Sequence, residues 1–218
     1  DKVNYFNNKA KPLPASIVMV GDSHIENGNW VELLGRTDLL NRGISRDTTD
    51  GLLKRMDSIY RLHPKVAFVM IGINDLLRGK TVEDLFSNYR LILDGLVSHH
   101  IKPVVHAIPL RNNPPYDEDL NAKIKRFNGL LESYCEEKGF VWIDLNRRLA
   151  PNGRLDTPYT WDGLHLTYEA YMIWADTIGL LLQGLPAWPG AGSAARWGRV
   201  RGSRPAAGRS GCGGRRPA

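Results

Sequence analysis

Four short blocks of this chain hold residues that could act together on an ester carbonyl. The first is Ile17-Val18-Met19-Val20-Gly21-Asp22-Ser23, an apolar run that enters a glycine turn and ends on a serine. A serine hydroxyl is a weak nucleophile until a base stands beside it. The last block, Asp162-Gly163-Leu164-His165, supplies a base. Histidine accepts protons near neutral pH, and an aspartate three residues earlier can fix its tautomer and stabilise the imidazolium formed during attack. Two blocks in between offer donors to the negative charge that would develop on the carbonyl oxygen. In Leu40-Asn41-Arg42-Gly43-Ile44, Gly43 permits close backbone approach and presents its amide; in Ile71-Gly72-Ile73-Asn74-Asp75, Asn74 presents a carboxamide. Taken singly, each block has a plainer explanation as a turn, a helix cap or a packing edge.

Positioning these blocks requires a sheet. Strand-like apolar runs are expected at Ile17–Val20, Leu39–Asn41, Val66–Ile71, Pro103–Ala107 and Phe140–Ile143, and helical patterns at Thr48–Tyr60, Val82–Val97, Leu120–Lys138 and Tyr168–Leu182. Short apolar runs alternating with helices are the pattern of a parallel sheet covered on both faces. Each block falls after a strand or before the final helix, and an open parallel sheet binds ligands beyond the carboxyl ends of its strands. The second helix carries one apolar stripe, Leu85, Tyr89, Ile92 and Leu96, with Thr81 and Asp84 as a local cap. Proline and glycine at Pro64, Pro103, Pro109, Pro114, Pro115 and Gly139 punctuate the expected elements.

In this order and strand context, the four blocks resemble those of the SGNH (GDSL-like) hydrolase family, from about Ile17 to about Leu182. Ser23, Gly43, Asn74 and His165 carry the resemblance, with Asp162 at the position of the family's acid. Asn41-Arg42-Gly43-Ile44-Ser45, followed by Asp47-Thr48-Thr49, is most similar to the branch of platelet-activating-factor acetylhydrolase subunits and carbohydrate acetylesterases. The resemblance implies a three-layer α/β/α sandwich, flavodoxin-like, with a five-stranded parallel sheet. It also implies a cofactor-free serine esterase acting through an acyl-enzyme, with Ser23, Asp162 and His165 catalytic and Ser23, Gly43 and Asn74 forming the oxyanion hole. A small-molecule ester is the expected substrate, acetyl above longer chains; a lysophospholipase or thioesterase is the alternative, and a non-catalytic binding module the alternative of another class. Two departures bear on substrate. His24 follows the nucleophile where the family's name has leucine, and Arg46 stands where relatives of this branch commonly carry a small residue. Both are candidate substrate contacts; their plainer readings are a lining side chain for His24 and a surface ion pair with Asp47 or Asp50 for Arg46.

Composition removes several other classes. Of 218 residues, 42% are hydrophobic and 24% charged, as expected of one globular domain with a packed core. The formal charge of +6 falls to −1 over residues 1–185, because seven arginines and no acid lie in 186–218. A near-neutral body offers no electrostatic footprint for nucleic acid. The chain therefore divides into a hydrolase domain, 1–185, and a Gly/Ala/Arg/Pro-rich tail, 186–218. The tail is expected to be disordered, of native or non-native origin, with an RNA- or membrane-contacting role as its livelier alternative. Cys135 and Cys212 read as free thiols. His63, His99, His100 and His106 have no metal-ligand spacing, and HExxH, paired CxxC, a phosphate loop and a GxGxxG turn are all missing, so no metal is expected. No run approaches the roughly 18 apolar residues of a membrane span, and Asp1 to Lys11 lacks a signal-peptide core. A soluble protein is expected. Residue 1 is not methionine, which leaves bacterial cytoplasm and export after signal removal both open, as is a homo-oligomer.

Overall fold

The computed structural model describes Lys2, Phe6, residues 16–113 and residues 117–184. The expected tail 186–218, its Cys212 and the Pro114-Pro115 turn lie outside the described residues. Five parallel strands form one sheet in the order β2-β1-β3-β4-β5: β1 Ile17–Gly21, β2 Leu39–Gly43, β3 Val66–Met70, β4 Lys102–His106 and β5 Val141–Ile143. This is the expected flavodoxin-like α/β sandwich. The chain adds β2 on one side of β1 and β3 on the other. The connections after β1 and β3 therefore diverge, and the crevice between them is the topological switch point where such sheets bind ligands.

Alternation along each strand sorts the core into two layers. Val18 and Val20 of β1 and Ala67 and Val69 of β3 face one way, toward α3 Thr49–Leu53, α4 Met56–Tyr60, α5 Ile73–Leu77, α6 Val82–Ser98 and α7 Glu118–Lys138. Ile17 and Met19 of β1 and Phe68 and Met70 of β3 face the other way, toward α2 Trp30–Leu34, α8 Asn146–Leu149 and α9 Tyr168–Gly184. A further helical turn, α1 Ser23–Glu26, springs directly from β1. The stripe Leu85, Tyr89, Ile92 and Leu96 is buried as expected, and Thr81 caps α6 by accepting from the Asp84 amide at 3.1 Å. Cys135 is a buried free thiol, and burial pushes its pKa up to about 12, which makes it unreactive.

One expected helix is two. Thr48–Tyr60 breaks between α3 and α4 at Lys54-Arg55, where Arg55 leaves helical geometry (φ −119°, ψ 9°). Its guanidinium turns inward, pairs with the Asp47 carboxylate at 2.8 Å and donates to the carbonyls of Arg42 at 3.0 Å and Gly21 at 3.3 Å. Those carbonyls sit at the carboxyl ends of β2 and β1. The break between α3 and α4 thus coincides with the inward turn of Arg55 toward these two strand ends.

Candidate active site

The first block becomes the end of β1 and the start of α1. Gly21 is obligatory at this junction, because a Cβ would stand 1.9 Å from the Met70 carbonyl oxygen on β3. Asp22 caps α1 by accepting from the His24 amide at 3.0 Å, which turns the chain sharply and leaves Ser23 as the first helical residue. The last block forms a loop entering α9. Gly163 takes φ +82°, and a Cβ there would meet the Asn112 carbonyl oxygen at 2.4 Å, so only glycine closes this turn. Asp162 holds the loop from inside: one carboxylate oxygen accepts from the amides of Leu164 (2.9 Å) and His165 (2.7 Å).

These two distant segments meet. Asp162 Oδ2 lies 2.6 Å from His165 Nδ1, and His165 Nε2 lies 3.1 Å from Ser23 Oγ. The carboxylate can only accept, so Nδ1 carries the proton and Nε2 presents its lone pair to the hydroxyl. Burial alone would raise the Asp162 carboxyl, but the hydrogen bonds from His165 and from the two loop amides outweigh it and hold it below its ordinary value. The arrangement can withdraw a proton from Ser23 Oγ and stabilise the resulting imidazolium.

The two oxyanion candidates flank this point from neighbouring strands. Gly43 pairs with Gly21 across β1 and β2, and a Cβ on Gly43 would press to 2.3 Å from the Glu26 amide of α1, which is why glycine stands there. Its own amide donates to Asn41 Oδ1 at 2.9 Å. An incoming oxygen must therefore share that hydrogen or draw the amide away from Asn41, a competition the spacing of the block does not reveal. Asn74, in α5 just beyond β3, donates one amide hydrogen to the Asp47 carbonyl at 2.9 Å and keeps the second for another acceptor. Asp47 is itself the partner of Arg55, so the turns after β1, β2 and β3 form one connected polar rim. Beside it, the buried Asp75 carboxylate accepts from the Thr49 amide and hydroxyl at 2.9 and 2.6 Å.

The two expected substrate contacts fare differently. His24 is corrected: its side chain is 1% exposed and bonded at both ring nitrogens, so it lines no open surface. Its position in α1 turns the ring under the rim rather than out of it. Arg46 is exposed, in the left-handed region at φ +65°, with its carbonyl held by Arg78 at 2.8 Å. The expected pairing with Asp47 or Asp50 does not form, because Arg55 takes Asp47 and Lys80 takes Asp50. Among the described residues Arg46 makes no ion pair. Trp161 was not anticipated. Its indole is 68% exposed and stacks on the His165 ring with centroids 5.2 Å apart and planes at 12°. The signal available was an aromatic residue directly before Asp162. No group of three or more metal-ligating side chains occurs among the described residues.

Comparison with known proteins agrees with this architecture. Residues 19–173 match the GDSL-like Lipase/Acylhydrolase family. A GDSL-like lipase from Bacteroides thetaiotaomicron superposes with a TM-score of 0.73 at 21% identity, covering 84% of this chain and 99% of its own. The lipase/acylhydrolase from Enterococcus faecalis gives 0.67 at 22% identity, over 78% and 96%. An acetyl xylan esterase, AlAXEase, gives 0.66 at 19%, over 76% and 98%. At such identities the likeness is one of fold. N-acylneuraminate cytidylyltransferases of Streptococcus agalactiae are 33% identical over 120 residues, 55% of this chain. The chain spans 28% of the length of these curated relatives.

Proposed function

Since the chain belongs to the GDSL-like lipase/acylhydrolase family, an ester hydrolase family, we propose that it removes short acyl groups, acetyl first among them, from a sugar-type alcohol. One observation carries the chemistry: the unbroken line from Asp162 through His165 to Ser23 Oγ. In the proposed reaction Ser23 Oγ attacks the ester carbonyl carbon as His165 Nε2 takes its proton. The Ser23 amide, the Gly43 amide and the free hydrogen of Asn74 Nδ2 hold the oxyanion. Collapse breaks the bond to the alcohol oxygen, which receives the proton from His165. Water then attacks the acyl-enzyme with His165 again as base, releasing the carboxylic acid and restoring Ser23.

Three features support a sugar as the alcohol. The exposed face of Trp161 beside His165 offers apolar surface to the C–H face of a sugar ring. Arg46 is exposed and makes no ion pair among the described residues, so its guanidinium can meet an anionic substituent. The Streptococcus agalactiae relatives are named for an N-acylneuraminate, a sugar acid, so acetyl esters of that acid are the first substrates to assay.

The test is fluorophosphonate labelling of the protein beside Ser23→Ala, followed by aryl esters of increasing acyl length and acetylated sugars. Covalent labelling of the native chain alone, with fastest turnover on acetyl esters, is the expected result. Preference for long chains would move the assignment to a lysophospholipase or thioesterase. Absence of labelling with accessible reagent would leave a binding module.

A further inference from the structure

His24 is a buried titratable group that the proposed reaction leaves idle. Its Nδ1 lies 3.2 Å from Asp22 Oδ1, and its Nε2 lies 3.0 Å from the Leu164 carbonyl oxygen. Neither partner has a hydrogen to give when Asp22 is ionised, and Asp22 Oδ1 already accepts from the His24 amide. A neutral imidazole owns one N–H and one lone pair, so either tautomer would press a lone pair against an oxygen. Only the doubly protonated ring satisfies both contacts. The Leu164 carbonyl belongs to the loop between Asp162 and His165, 140 residues from His24 in sequence.

We propose that His24 is a positioning residue: a buried imidazolium paired with Asp22, whose Nε2–H pins the Leu164 carbonyl and so keeps His165 Nε2 within reach of Ser23 Oγ. The proposal rests on the reading of Ser23 and His165 as nucleophile and base. Asp162 ties the loop from within through its amides, and His24 ties it to α1 from outside. The groups facing His24 are Asp22 from the β1–α1 turn, Asp162 and the His165 ring from the loop, and Tyr171 from α9. The two imidazole centroids are 6.0 Å apart, and the Tyr171 hydroxyl donates to the His24 carbonyl at 2.7 Å. Burial disfavours the charged ring, but Asp22 and the Leu164 carbonyl outweigh it and hold His24 above its ordinary value.

The two neighbouring histidines thus work in opposite states. His165 must be unprotonated to act as base, and His24 must be protonated to hold the loop. For a group with a raised pKa, the holding contribution is complete below the ordinary histidine value and is lost as pH rises through the raised one. Activity therefore acquires an alkaline limb that belongs to His24.

The experiment compares kcat and KM across pH for the full chain, His24→Gln and His24→Asn, with nitrogen-15 NMR of the histidine rings in the native protein. Glutamine places its amide nitrogen near the position of Nε2 and cannot ionise; asparagine places its nitrogen near Nδ1 and loses the Leu164 contact. His24→Asn should lower kcat about 10²-fold with little change in KM, the effect of a misplaced reacting group. His24→Gln should recover most of that loss and abolish the alkaline limb. The His24 signals, identified by their disappearance in His24→Gln, should show both ring nitrogens protonated at neutral pH. A neutral His24 ring there, an alkaline limb unchanged in His24→Gln, or wild-type kcat in His24→Asn would each overturn the proposal. Should His24→Asn fail to fold, the ring protonation state and the His24→Gln profile still decide it. Hydrolysis surviving in Ser23→Ala would instead bring down the reading beneath, and the clamp with it.

Discussion

Two buried histidines stand at carboxyl ends of this sheet's strands in different surroundings, one in the polar rim at α1 and one in the apolar layer against α9. His24, at the rim, has an acceptor oxygen at each ring nitrogen. His106, at the end of β4, is 0% exposed beneath Phe68 and Trp174, has one long contact of 3.3 Å to the Val69 carbonyl, and leaves Nε2 with no partner among the described residues. Burial drives its pKa down to about 3, whereas His24 is held above its ordinary value. Depth alone does not determine the charge of a buried group; the oxygens within reach do. The same contrast separates the regions around them. The rim is a network of directional polar contacts that stabilises a geometry, and the interior is apolar packing that stabilises the chain.

That separation can be broken or sharpened experimentally, the largest effect first. At the rim, His165→Ala should lower kcat on the order of 10⁴-fold or more while the thermal midpoint stays nearly unchanged. A large fall in the midpoint would show that the rim also carries stability. In the interior, Phe127→Ala should do the reverse. Phe127 is fully buried on α7 against Tyr89, and its truncation should cost about 3–5 kcal/mol in urea unfolding, with turnover per folded molecule preserved. Asn74→Ala should reduce turnover on the order of 10²- to 10³-fold, the usual loss for one oxyanion donor, without unfolding the chain. A near-wild-type rate would remove Asn74 from the mechanism and leave it as a tether for the Asp47 carbonyl. The last effect is a pH dependence of stability and concerns His106. Its folded pKa lies below the ordinary 6.5, so the unfolded chain gains a proton first as pH falls. Stability is then lost between pH 6.5 and about 3, at up to roughly 1.4 kcal/mol per unit. His106→Leu should flatten that acid slope in urea titrations and leave the alkaline limb assigned to His24 untouched. An unchanged slope would mean that other groups set the acid stability.

The sheet was legible in the amino-acid order because a parallel strand buried on both faces needs a continuous apolar run, and five such runs became the five strands. Leu85, Tyr89, Ile92 and Leu96 were equally plain, since seventeen residues of α6 give the helical period room to repeat. Four- and five-residue helices such as α1, α2, α5 and α8 give it none and were missed. The residues that converge on Ser23 were readable as types: a serine after a strand, a histidine with a nearby acid, a glycine and an asparagine at strand ends. What each side chain meets was not readable, because that depends on competition across the fold. Asn41 claims the Gly43 amide, Arg55 takes the Asp47 that Arg46 was expected to bind, and His24 reaches Leu164 instead of solvent.

Arg55 also sets a limit on engineering. Its single guanidinium joins the carbonyl ends of two strands and an aspartate whose own carbonyl restrains Asn74. The turn that presents Ser23 is therefore not a portable cassette. Grafting residues 17–26 onto another doubly wound sheet without a cation rooted in the following helix pair would transplant the serine and leave behind the keystone that aligns its neighbours.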